Sequence, residues 1–256
     1  VEPASPHLRP FCVMWTRVPD ETRARIAARF AMPGFELSGF EPADPAALPS
    51  WADALLLEQA DRDRLREAFD RNPFLTVELG EGGDEPAALR EDWTGAPAVE
   101  PGFYLSLTTG TAYGLQCAVL VCDELARRGG LRADQRSNVE LCLHEAIANA
   151  IVHGNLGLSS ATKNQPDGYR LFGQMLRDRL EDPAIKRRRI DIFCRWNAAT
   201  VAIAVVDQGG GFDSGAAPAA VGGKARSGRG FVFMRALASR VAVTDGGRCT
   251  VLHFDL

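Results

Sequence analysis

The stretch that decides the fold is residues 139–155, VELCLHEAIANAIVHGN. Val139, Cys142, Leu143, Ala146, Ile147 and Ala150 recur at helical spacing, which predicts one long amphipathic helix with a buried stripe. At roughly 100° per residue, Glu145 and Asn149 stand one turn apart, about 40° from each other, at one edge of that stripe. A carboxylate and a carboxamide held together on a rigid helix offer oxygens to a hard cation and a base to a nearby hydroxyl or water. Taken alone, the same spacing also describes a solvated i,i+4 pair.

Two later stretches separate these readings. An apolar run at 201–206 is followed by Asp207-Gln208-Gly209-Gly210-Gly211-Phe212, and Gly228-Arg229-Gly230-Phe231 opens a second apolar helical pattern. Strand, acid, glycine turn, loop, glycine pair and helix thus follow the Glu-Asn helix in a fixed order. That order resembles the GHKL ATPases, matching their N box and two glycine boxes. Within that superfamily, HEAIANAIVHGN, VVDQGGGFD and SGRGFVFMRAL look like the anti-sigma-factor serine kinases of bacterial partner-switching systems. The resemblance covers roughly residues 103–256.

The resemblance implies an α+β two-layer sandwich, a mostly antiparallel sheet with helices on one face, that binds ATP and Mg²⁺. It gives Asp207 the adenine, with Gly209 and Gly211 leaving no Cβ between backbone and base. Gly228, Arg229 and Gly230 would aim free N–H groups and the positive end of a helix at phosphate. The small residues of 213–227 suit a lid, and Lys224, Arg226 and Arg229 are candidates for charge contacts. Thr250 sits where the family often places a late nucleotide contact. Asn149 would hold Mg²⁺, and Glu145 would accept the proton of the attacking hydroxyl. In the resembling kinases that hydroxyl belongs to a small anti-sigma-factor antagonist of STAS type; a sigma factor as second partner and a homodimer are also implied. The alternative keeps the pocket but uses nucleotide only to shape a partner-binding surface. No G-x-x-x-x-G-K-[ST], H-R-D or D-F-G occurs, which disfavours P-loop and protein-kinase folds. A sensor histidine kinase is disfavoured too, because only His7 precedes the Glu-Asn helix.

Upstream, apolar runs at 11–15, 35–40, 54–57 and 74–79 alternate with helical patterns at 19–30 and 61–71, predicting a small parallel α/β domain over residues 1–95. Its order resembles a response-regulator receiver with its chemistry removed. Trp15 and Thr16 stand where receivers carry an acidic pair, Glu58 takes the phosphoacceptor position, and the only lysines are Lys163, Lys186 and Lys224. The Gly-, Pro- and acid-rich 80–102 is the expected boundary before an ATPase domain at 103–256.

In that second domain the patterns predict a strand at 103–108, a helix at 111–128, and an insertion at 156–189 containing a helix at 169–180. A hairpin at 190–196 and 200–206, a helix at 231–237, and strands at 241–244 and 249–255 follow. The basic run 186–189 reads as a solvated strand entrance.

The chain, 46% hydrophobic and 24% charged, has the composition of a globular protein. A net charge of −4 gives no case for nucleic acid or an anionic membrane as partner. With no apolar run of spanning length and no signal-peptide pattern in VEPASPHLRP, a cytoplasmic location is expected. The six cysteines lack metal-binding spacing and read as reduced core thiols. His144 and His153 lie about 180° apart on an ideal helix, too far round to chelate one ion.

Overall fold

The computed structural model describes residues 12–16, 18, 20–22, 24, 38–40, 53–80, 101–211 and 229–256. Its strands form one sheet in the order β2-β1-β3-β4-β5-β6-β7-β9-β8. The first half supplies β1 (Cys12–Thr16), β2 (Ser38–Phe40), β3 (Ala54–Leu57) and β4 (Leu75–Glu78), with α1 (Arg62–Phe69) between the last two. Residues 20–22 and 24 are helical; the remainder of the helix expected at 19–30 lies outside the described residues.

The second half begins with β5 (Gly102–Thr108), then α2 (Thr109–Gly114), α3 (Cys117–Arg127) and α4 (Arg136–Asn149). After the insertion, which holds α5 (Gly168–Glu181) and α6 (Pro183–Lys186), come β6 (Arg189–Trp196), β7 (Thr200–Asp207), α7 (Arg229–Leu237), β8 (Arg240–Thr244) and β9 (Cys249–Asp255). The architecture is the α+β sandwich expected. The single helix expected at 111–128 is instead two, separated at Leu115, whose extended backbone ends α2.

The sheet changes character at β5. Strands β2-β1-β3-β4-β5 are all parallel neighbours, the 2-1-3-4-5 order of doubly wound sheets. From β5 onward every pairing is antiparallel. β5 therefore belongs to both halves, and the sheet runs unbroken across the boundary expected at 80–102.

The larger core lies on the helical face. Phe103, Leu105 and Leu107 of β5, Ile190 and Ile192 of β6, and Val201, Ile203 and Val205 of β7 meet the buried sides of α3 and α4. The stripe expected on the Glu-Asn helix is the one that packs: Val139, Cys142, Leu143, Ala146, Ile147 and Ala150 are all buried. A smaller cluster, including Val13, Leu56, Val77 and Tyr104, occupies the other face. Burial pushes the Cys117 and Cys122 thiols up to about 12 and that of Cys142 to about 11, so these side chains behave as small core hydrophobes. Among the described residues, no helix is long and apolar enough to cross a membrane.

Glu78 binds the two halves at the end of β4. It is only 2% exposed. Its carboxylate accepts from the N–H of Ala60 at 3.2 Å, the N–H of Thr108 at 2.7 Å and the hydroxyl of Thr111 at 2.6 Å. Arg189 donates to its main-chain carbonyl at 2.5 Å. From α3, Arg127 donates to the carbonyl of Phe69 and Arg128 to that of Pro73, tying the second half back to α1 and the turn after it. Glu78→Ala strands the buried Thr108 N–H and two part-buried donors, so it is expected to cost about 3 kcal/mol of unfolding free energy; urea denaturation monitored by tryptophan fluorescence checks this.

Candidate functional site

Glu145 and Asn149 project from α4 into a cleft of about 560 Å³, a size usual for small-molecule sites. Segments distant in sequence complete it. β7 brings Val205 and Asp207, with Gly211 just beyond; α7 brings Gly230 and Phe231 from its first turn; Gly247 and Thr250 come from the last hairpin. The phase of β7 explains why Asp207 is there. Val201, Ile203 and Val205 face the helices, and two residues on the strand returns a side chain to the same face. Thr250 pairs with Val205 across β7 and β9, which makes it a same-face neighbour of Asp207.

Of the residues singled out in the sequence, Glu145, Asn149, Asp207, Gly211, Gly230 and Thr250 thus line one cavity. Gly209 lies behind the lining, against Gly154, where a Cβ would overlap the Gly154 backbone. Arg229 begins α7. Gly228, Lys224, Arg226 and the rest of the loop expected as a lid lie outside the described residues.

Asp207 is the most perturbed of these groups. Its side chain is 8% exposed, and burial pushes the carboxyl up to about 6, a rise moderated by the Gly209 N–H and by Arg248. Oδ1 accepts from Gly209 N–H at 2.8 Å. Oδ2 has no hydrogen-bond partner among the described residues, so one acceptor oxygen is left for a ligand. A Cβ on Gly154 would collide with this carboxylate, so the helix end can approach Asp207 only as glycine.

Sequence reasoning missed the residues that bring α4 to this position. The helix does not continue as an ideal α-helix to 155. Over Ala150–Asn155 it widens into a π turn, closed by the N–H of Leu156 bonding to the carbonyl of Ile151. At roughly 80° per residue in a π turn, Asn155 comes round to within about 40° of Ala150, against about 140° in an α-helix. Asn155 is fully buried as a result. Its Nδ2 donates to Thr109 Oγ1 at 2.7 Å and to the Arg189 carbonyl at 2.8 Å, while Oδ1 accepts from the Gln208 N–H at 2.7 Å. The only sequence signal is a polar His-Gly-Asn ending an apolar helix.

His153 was also missed as a site residue. It lines the cleft one turn beyond Asn149, whereas His144 is exposed and outside it. Its Nδ1 lies 2.5 Å from the carbonyl of Leu158. A carbonyl only accepts, so Nδ1 carries a proton and donates it to this bond, leaving Nε2 to face the cleft wall. Among the described residues, no cluster of three or more His, Cys, Asp or Glu side chains could hold a metal ion.

The family model for the histidine kinase-like ATPase domain matches residues 114–254, more than half of the chain. The chain belongs to this family, so it carries an ATP-binding domain of the GHKL type. Comparison with curated proteins finds no match.

The buried Asp207 carboxylate makes a signed prediction. Because its native pKa is raised, the folded chain binds the proton before the unfolded chain does, and this group's contribution to stability falls as pH rises from about 4 through about 6. Asp207→Asn removes that penalty. Allowing for solvent screening at the cleft, we expect the variant to be more stable by about 1–2 kcal/mol at pH 8, with the difference vanishing near pH 4. Urea titrations of both proteins at the two pH values measure it.

Proposed function

We propose that this chain is a Mg-ATP-dependent serine/threonine protein kinase of the anti-sigma-factor type, acting on a small STAS-type antagonist in a partner-switching pathway. The observation that carries the reading is the meeting, in one cleft, of a carboxylate and a carboxamide on α4, an unsatisfied carboxylate oxygen on β7 and the opening turn of α7. The donor set fits the cofactor. The pair Glu145 and Asn149 is too few for a dedicated metal cage but matches the habit of Mg²⁺, which takes one or two protein oxygens and completes its shell with phosphate and water.

Bound Mg-ATP supplies the transferable γ-phosphoryl group and the divalent charge that offsets its oxygens. The protein's own groups do the rest. Asp207 accepts the exocyclic N–H of the base through Oδ2, with Thr250 beside it. Asn149 would hold the metal through its amide oxygen. The first turn of α7, from Arg229 and Gly230, would offer backbone N–H groups and the positive helix end to phosphate. Glu145 packs against Gly230, where a Cβ would touch Oε2, so the candidate base sits beside the turn that faces phosphate. There it takes the proton from the incoming serine or threonine hydroxyl.

The test uses the purified protein, radiolabelled Mg-ATP and STAS-type proteins from the same cell. One of these should be labelled on serine or threonine. Glu145→Ala should abolish labelling while keeping the nucleotide-induced rise in Tm, about 5–10 °C at ligand a hundredfold above its Kd. A retained Tm rise with no labelling of any partner would instead favour a nucleotide-binding module without phosphoryl transfer. No Tm rise with Mg-ATP would sink both.

A further inference from the structure

The cleft has a wall that neither the N box nor the glycine boxes supply. The insertion between α4 and β6 starts with a 3₁₀ turn, Ser160–Asn164, and Ser160 and Lys163 both line the cleft. In a 3₁₀ turn residues three apart eclipse, so these two side chains share one side. That side meets α4: Ser160 Oγ lies 3.5 Å from His153 Nε2. His153, Ser160 and Lys163 form a polar row along the wall.

Lys163 is the informative member. It is the only lysine or arginine among the described residues lining the cleft. Among the described residues no carboxylate pairs with it; its ammonium sits 4.0 Å from the ring centroid of Phe172 on α5, a cation–π contact that holds the half-buried side chain at the wall. The cleft otherwise presents the carboxylates Glu145 and Asp207, which repel a polyphosphate. A cation carried by the insertion offsets that repulsion without competing with either acid for its own contacts.

We propose that Lys163 is a nucleotide-binding residue that reads the phosphate chain, and that the insertion thereby sets the preference of the cleft for nucleotide over nucleoside. The proposal rests on the nucleotide-site reading above. Its test compares adenosine, ADP and ATP, in Mg²⁺ buffer, by calorimetric titration of the unsubstituted protein, Lys163→Met and Lys163→Arg, with urea midpoints to confirm folding. Lys163→Met should weaken ATP roughly three- to tenfold, ADP less, and adenosine not at all. The salt dependence of ATP binding should flatten in Lys163→Met, and Lys163→Arg should restore most of the loss. An equal loss for all three ligands makes Lys163 a packing residue and overturns the proposal, as does unchanged ATP affinity in Lys163→Met. Failure of the unsubstituted protein to bind ATP or adenosine overturns the nucleotide-site reading and this inference together; the other negative outcomes overturn this inference alone.

Discussion

Asn155 is out of contact with solvent, and three hydrogen bonds from its carboxamide hold the end of α4 against the turn after β5, the start of β6 and the exit of β7. Both donors and one acceptor lone pair are used. Arg188 adds a fourth bond, to the main-chain carbonyl, at 2.6 Å. These bonds set the axial position and roll of the helix. Glu145 and Asn149 lie on its rigid part, so the distance from their oxygens to Asp207 follows from where Asn155 is tied. A polar anchor suits this task better than an apolar one, because hydrogen bonds fix direction whereas apolar packing tolerates sliding.

Anchoring the helix this closely brings its backbone onto the strand end, and the chain accommodates that with missing side chains. Gly154 faces the Asp207 carboxylate, and Gly209 faces the Gly154 carbonyl. The contact excludes water from one side of Asp207, which raises its pKa, and Gly209 N–H returns part of the lost solvation. The carboxylate is therefore kept ionised at neutral pH at some cost to stability. Such a cost is characteristic of a group retained for binding, since a packed apolar residue would stabilise the fold more.

Much of this was legible in the sequence because the strong signals are local. The strands at β3 and β5 through β9 declare themselves by apolar runs bounded by turn residues, and the stripe of α4 by its period. Glu145, Asn149 and Asp207 carry a spacing and an order that survive without coordinates. What stayed hidden is non-local. A π turn leaves no mark in a 3.6-residue pattern, so the periodicity that marks the stripe says nothing of where Asn155 and His153 face. Lys163 sits in an insertion whose turn has no periodicity; only the fold of 156–168 back onto α4 reveals it. Glu78 lies in an apolar run, and nothing local marks it until Thr108 and Thr111 are placed beside it. The boundary drawn at 80–102 rested on composition, and composition does not show that β4 and β5 pair.

That pairing has a consequence for assembly. A β5 left at the margin of the antiparallel half would present a row of unpaired N–H and C=O groups, an open invitation to a second sheet. Here β4 covers it through Leu75, Thr76 and Val77, and Glu78 seals the end. The margins of the sheet are instead β2, three residues long, and β8, five residues long and exposed at both ends. Edges this short offer few ladder bonds. The edge of β5 is therefore closed to any further strand, because β4 already takes up its hydrogen-bonding groups. The parallel half thus closes one strand edge of the ATPase half, and it does so through backbone bonds between β4 and β5.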